Sequence, residues 1–195
     1  MLNPIAHRIC TIEEIKSLPH SVGLEFDIHA YKDELKVCHD PFVDGFKLSD
    51  FLNECHNRGT LAINIKEEGI EIDVINAAKS AKINNFFLFD VPFPQITRLG
   101  EQNKEYMCLR YSDIEKLDLD ICSKFAKFLW IDTFSGNLWM EKLEYTRLKE
   151  LGYKLCFVSP EVHRPAKGNT VIFSQAVRSL ISADNSSSDF ICTKE

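Results

Sequence analysis

Short, mostly apolar runs alternate along the chain with longer stretches whose apolar residues recur every three or four positions. The short runs at 5–10, 23–30, 61–66, 85–91, 106–110, 128–132, 153–159 and 190–193 predict eight strands, and 35–39 extends the second or pairs with it. The stretches between them, at 12–18, 46–58, 72–82, 96–102, from an N-cap at Asp113 to about 125, 139–151 and 171–181, predict seven helices. Within 46–58, Leu48, Phe51, Leu52 and Cys55 share one face and Gly59 follows as a stop. Gly152 ends the sixth helix, Pro92 and Pro94 mark the exit of the fourth strand, and 183–188 reads as a polar loop.

Strands that are apolar throughout are buried on both faces, as parallel strands are. Strict alternation of strand and helix implies βαβ units. Eight such strands predict an α/β fold, a compact (β/α)8 TIM barrel lacking the last helix. The alternative is an open doubly wound sheet, and no GxGxxG or P-loop pattern supports a nucleotide-binding version of it. At 195 residues and 45% hydrophobic composition, the chain suits a single domain spanning 1–195 with one sizeable core.

A net charge of −6 with no basic block argues against a nucleic-acid partner. No apolar run reaches membrane-spanning length, and the first ten residues lack the pattern of a secretory signal. The seven cysteines stand singly, without CxxC, and read as reduced thiols of a cytoplasmic protein.

In a barrel of this kind the site lies at the C-terminal ends of the strands. Those ends carry His7 and Arg8, Glu25 and Asp27 with His39 beyond, Asn64 and Lys66, Asp90, Arg110 and Asp132. After the seventh strand come Ser159, Glu161, His163 and Arg164, and the eighth ends in Thr193 and Lys194. Glu25 and Asp27 are two apart on one strand, so both face inward while Phe26 and Ile28 face the helices. Two enclosed carboxylates repel. A divalent cation resolves the conflict, and oxygen donors suit Mg²⁺ or Ca²⁺, with Asn64 as a third, neutral donor. The alternative is a carboxylate pair held by Arg8 or Lys66 without metal. His7 and His39 flank the pair and suit a general acid and base acting on a phosphoester. Arg8, Lys66 and Arg110 supply positive charge for the phosphate of a small-molecule substrate. His20 and His56 read as structural, His29 stands between a structural and a ligand-touching role, and His163 in a loop carries little weight.

The segments IAHR (5–8), LEFDIHAYKDELKVCHDP (24–41) and INIK (63–66) resemble, in order and spacing, the first three strands of the glycerophosphodiester phosphodiesterase family, part of the phospholipase-C-like phosphodiesterase barrel superfamily. ICTK (191–194) is similar to the short strand that closes such barrels. The resemblance implies that His7 and His39 are the catalytic pair, that Glu25 and Asp27 bind metal, and that Arg8 and Lys66 contact phosphate. It implies release of an alcohol and a phosphomonoester, in some branches by way of a cyclic phosphate. Three features depart from the family pattern. Ile9, Cys10 and Thr11 stand where it has glycine and a PENT-like turn, Asn64 stands where it has an acid, and 42–47 leaves little room for its inserted segment. These imply weaker metal affinity and a more open site. They keep a second reading in view, a member that binds a phosphorylated metabolite or a partner protein without turnover.

Overall fold

A computed structural model of the chain describes residues 2–163, 169–182 and 188–194. Its strands are β1 (Asn3–Ala6), β2 (Gly23–Tyr31), β3 (Glu34–Val37), β4 (Phe46–Lys47), β5 (Leu61–Ile65), β6 (Phe86–Phe89), β7 (Cys108–Ser112), β8 (Phe128–Asp132), β9 (Lys154–Val158) and β10 (Phe190–Thr193). The helices are α1 (Ile12–Ser17), α2 (Leu48–Asn53), α3 (Glu71–Ser80), α4 (Phe93–Leu99), α5 (Leu119–Cys122), α6 (Lys142–Glu150) and α7 (Thr170–Ile181). The fold is α/β. Eight strands run parallel in the order β6-β5-β2-β1-β10-β9-β8-β7. The two end strands, β6 and β7, meet at one isolated parallel bridge, Leu88 to Met107.

β3 and β4 stand outside this parallel set. β2 is long enough that Leu24–Ile28 pairs with β5 while Ile28–Tyr31 runs on to pair antiparallel with β3. Lys32 and Asp33 turn this hairpin with φ of 49° and 64°, the double left-handed geometry of a type I′ turn. The predicted second-strand pairing at 35–39 is therefore a hairpin.

The predicted helix at 46–58 is shorter than its pattern. Phe46 and Lys47 pair with Val37 and Lys36, so α2 begins only at Leu48. Gly45 permits the pairing, since a Cβ there would sit 2.3 Å from the Val37 carbonyl oxygen. Asp113 caps no helix. Its carboxylate accepts the N–H groups of Phe134 and Ser135, and Asp118 caps the four-residue α5 instead. The first strand lies at 3–6 and not 5–10, because Arg8 adopts φ 58° and bends the chain out of the sheet. Thr11 and Glu14 then close a capping box that starts α1. Pro94 falls in the first turn of α4, where a missing N–H costs no hydrogen bond. The predicted loop at 183–188 lies outside the described residues except for Ser188.

The buried apolar side chains form two clusters, one on each face of the sheet. The larger lies between strands and helices and holds Phe26, Ile28, Ile63, Leu88 and Ile131 among others. The smaller is built from strand residues alone, with Phe87, Phe89, Phe128, Trp130 and Phe190 packed ring against ring. Of the eight parallel strands, only β2 gives this inner cluster no residue. Its inward positions are Glu25, Asp27 and His29. All seven cysteines are unpaired, as the sequence predicts, and five of them are buried. No helix among the described residues is long and apolar enough to cross a membrane.

Candidate active site

The inward alternation of β2 has a direct consequence at the C-terminal ends of the strands. A cavity of about 160 Å³ opens there, lined by His7, Arg8, Glu25, Asp27, His39, Asn64, Lys66 and Arg110, together with Phe89, Asp90, Trp130, Val162 and His163. All eight residues that the sequence nominates thus meet in one place. The rings of Phe89 and Trp130 stack at 4.1 Å and belong to both the inner cluster and the cavity wall, so the apolar core ends where the polar site begins.

Glu25 is buried and takes one strong hydrogen bond, from the Arg8 N–H at 2.7 Å. Arg8 offers it only because its backbone turns left-handed, a conformation that costs a non-glycine residue about 1–2 kcal/mol. Burial, and then the charge of Asp27, push the Glu25 carboxyl up to about 8, against the Arg8 N–H and the charges of Lys66 and Arg8. His7 Nε2 lies 3.4 Å from Glu25 Oε2, while its Nδ1 is buried with no hydrogen-bond partner. Burial, and then the charges of Lys194 and Arg8, push His7 down to about 3. At neutral pH the two side chains therefore meet as a protonated carboxyl and a neutral imidazole, not as an ion pair.

Asp27 is held differently. Lys66 Nζ sits 2.8 Å from its Oδ1, the contact anticipated as the metal-free alternative. The register pairs Asp27 with Asn64 on β5, and Asn64 Oδ1 is buried without a hydrogen-bond partner. Glu25, Asp27 and this orphaned amide oxygen make a set of hard donors that fits a small divalent cation. Among the described residues no group of three or more His, Cys, Asp or Glu side chains could hold a metal.

His39 is less enclosed, with 37% of its side chain exposed, and its Nδ1 lies 2.9 Å from Asp40 Oδ1. His29 does not line the cavity. Its Nε2 approaches the His39 carbonyl at 3.3 Å and its Nδ1 faces Glu67 at 3.5 Å, so it braces the hairpin that carries His39. His20 and His56 are exposed and lie away from the site.

On the opposite wall Arg110 is already engaged. Its guanidinium donates to Asp90 Oδ1 at 2.6 Å and to Asp132 Oδ2. Asp132 is fully buried, and its Oδ1 lies 2.6 Å from His163 Nε2. The sequence places Asp90 and Asp132 on the rim of strand ends without a role and gives His163, in the loop after the seventh strand, little weight. The signal for Asp132 was present, since it continues the inward alternation of Phe128 and Trp130. Glu161 instead ties down the end of β10, accepting from the Thr193 hydroxyl at 2.8 Å and the Lys194 N–H at 3.1 Å. Arg164 lies outside the described residues. The departure at 9–11 has a structural use here, because Ile9 is buried in the outer cluster and Thr11 caps α1.

No family model matches the chain, and no curated protein matches it in sequence. Among solved structures, the crystal structure of glycerophosphodiester phosphodiesterase from Agrobacterium tumefaciens str. C58 aligns with 100% of this chain and 97% of its own, at a TM-score of 0.65 and 13% identity. At that identity the likeness is one of fold.

Proposed function

We propose that this chain is a phosphodiester hydrolase acting on a small soluble, glycerophosphodiester-like substrate and releasing an alcohol and a phosphomonoester. The observation that carries the reading is the convergence of His7, Arg8, Glu25, Asp27, His39, Asn64 and Lys66 on one cavity, on a fold like that of a glycerophosphodiester phosphodiesterase. The Leu88–Met107 bridge is read as the closure of a compact (β/α)8 barrel around that cavity, and the protein as cytoplasmic.

Arg8 and Lys66 receive the phosphate, their charges offsetting its own. Neutral His7 has a lone pair to accept a proton from the attacking water or substrate hydroxyl. As the new P–O bond forms, the bond to the alcohol oxygen breaks, and His39 returns a proton to that oxygen. Asp40 at His39 Nδ1 leaves Nε2 for this role. Glu25, Asp27 and Asn64 would hold Mg²⁺ or Ca²⁺, which when bound polarises the phosphate and the attacking hydroxyl. Phe89 and Trp130 keep water from the floor of the site.

A second reading is a binder of phosphorylated metabolites or of a partner protein without turnover. The Lys66–Asp27 pair and the neutral Asn64 favour it, since the lysine offsets one carboxylate without metal and the amide brings one charge fewer to hold a cation. Incubation with a panel of small phosphodiesters, with and without Mg²⁺, Mn²⁺ or Ca²⁺, separates the two. The hydrolase reading requires release of alcohol and phosphomonoester, abolished in His7→Ala and His39→Ala. Tight binding of phosphomonoesters with no turnover under any metal supports the second.

A further inference from the structure

The wall of the cavity opposite β2 carries a constellation that phosphate binding and the His7–His39 pair leave unused. Asp90, Arg110, Asp132 and His163 form a chain of contacts from the end of β6, across β7 and β8, to the turn after β9. Arg110 is held by two carboxylates, which offset its charge and occupy three of its five N–H donors. Asp132 is fully buried and presents one oxygen to Arg110 and the other to His163 Nε2. Asp132 Oδ2 accepts from the Arg110 guanidinium and its Oδ1 faces His163 Nε2 at 2.6 Å, so Nε2 of His163 carries the hydrogen of that contact. In the neutral ring that fixes Nδ1 as the bare acceptor, by the same logic that sets the tautomer of the histidine in a catalytic triad. Nδ1 takes no hydrogen bond from the described residues. The His163 ring rests against Phe134 at 5.1 Å between centroids, and its side chain is 26% exposed and lines the cavity.

A lone-pair nitrogen held rigidly by a buried carboxylate asks for a donor that is small and neutral. Phosphate oxygens only accept and would meet it unfavourably. A hydroxyl donates. We propose that His163 is a specificity-determining residue whose Nδ1 accepts a hydrogen bond from a hydroxyl on the polyol arm that stays with the phosphate, with Asp132 as the residue that positions it. The inference rests on the phosphoester reading of the cavity. It selects within that class, favouring polyol phosphoesters over alkyl phosphoesters of the same length. The phosphate lies on the Arg8–Lys66 wall, the polyol arm crosses over Trp130, and its hydroxyl ends at His163.

Binding tests this without requiring turnover. Dissociation constants of glycerol 3-phosphate and of n-propyl phosphate, which lacks the hydroxyls, are measured by calorimetry for the wild type, His163→Ala and His163→Phe. The wild type is expected to favour glycerol 3-phosphate by about tenfold, the weight of one hydrogen bond in a partly enclosed site. In both variants the preference falls to within about twofold through weaker binding of glycerol 3-phosphate, with n-propyl phosphate unchanged. In ¹⁵N-histidine spectra, His163 of the wild type shows the Nε2–H tautomer, and its Nδ1 signal moves with glycerol 3-phosphate but not with inorganic phosphate. Equal binding of the two ligands by the wild type, or a preference that survives in both variants, overturns the inference. If neither ligand binds, the phosphoester reading falls with it. If the His163-dependent preference is found but no diester is hydrolysed, the inference stands and only the hydrolase reading fails.

Discussion

Two buried carboxylates at opposite ends of the same sheet are treated in opposite ways. Asp189 precedes β10, at the N-terminal ends of the strands. It is fully buried and fully paired, accepting the Tyr145 hydroxyl at 2.9 Å, the Lys149 ammonium at 2.7 Å and the Leu155 N–H at 3.0 Å. Glu25, toward the C-terminal ends, is as deeply buried, yet has one strong donor and a like-charged neighbour two residues away. Around it, His7 Nδ1 and Asn64 Oδ1 are buried with no hydrogen-bond partner. A fold that satisfies a buried carboxylate at one end and leaves another short of donors at the other fits the proposed site, with stability below and chemistry above as in barrel-like α/β folds.

The comparison is broken most directly at the upper end. His7→Ala or His39→Ala should lower turnover of a glycerophosphodiester by about 10²–10⁴-fold, the usual weight of one acid–base group. Neither should lower the urea midpoint appreciably. Removing His7 should even raise it in acid, since the folded protein then no longer has to keep an imidazole neutral. A variant that keeps its rate is removed from the mechanism.

At the lower end the same logic predicts the reverse. Asp189→Ala strands the Lys149 ammonium, whose side chain is only 19% exposed, and removes the carboxylate that accepts from the Tyr145 hydroxyl and the Leu155 N–H. A loss of about 3–5 kcal/mol in urea unfolding is expected, with kcat/KM of the remaining folded protein within a few-fold of wild type. Equal damage to stability and rate would mean that the two ends are not separable.

How much of this was legible beforehand follows from what each signal encodes. The alternation in β2 gave the inward carboxylates outright, because a strand has only two faces. The strand ends likewise delivered all eight nominated residues to one rim. Which of the alternative contacts between strands forms was not legible, since that depends on register. That Asp27 lies beside Asn64, and that Lys66 reaches back to Asp27, follows from the β2–β5 pairing and not from spacing along the chain. His163 reaches the cavity on a short 3₁₀ turn after β9, a path that apolar periodicity does not describe. The pattern at 46–58 was helical, but the hairpin claimed its first two residues, since pairing with β3 satisfied backbone groups that a helix N-terminus leaves open.

Acid and base should separate the two members of the upper pair. Glu25 is raised from 4.5 to about 8, so the folded state binds its proton more tightly than the unfolded chain does. Stability from this group is intact below pH 4.5 and is lost as pH rises toward 8. His7 is lowered from 6.5 to about 3, so its contribution is intact above 6.5 and is lost as pH falls toward 3. In chelator, Glu25→Gln should therefore gain on wild type by a few kcal/mol between about pH 5 and 8 and be level with it below. Chemical denaturation across that range checks the sign. Added Mg²⁺ or Ca²⁺ should shrink the gap by favouring the wild-type carboxylate, and no such effect would argue against a cation at this site.

The smallest expected effect bears on the residue that departs furthest from the expected donor set. Asn64 Oδ1 is buried and unpaired beside Asp27, so an aspartate there would add a third charge in almost the same volume. Without metal, Asn64→Asp should unfold at lower temperature than wild type, because a further buried acid then stands beside Asp27, which already engages Lys66. With Mn²⁺, Mg²⁺ or Ca²⁺ present, the order should reverse, and the cation should bind roughly tenfold more tightly, in keeping with one added unit charge in a partly solvated site. Melting curves with and without each ion read both halves. A variant destabilised in chelator and not rescued by any of the three would place Asn64 outside the ligand set, leaving Glu25 as a carboxyl kept neutral by its burial and Asp27 as the partner of Lys66.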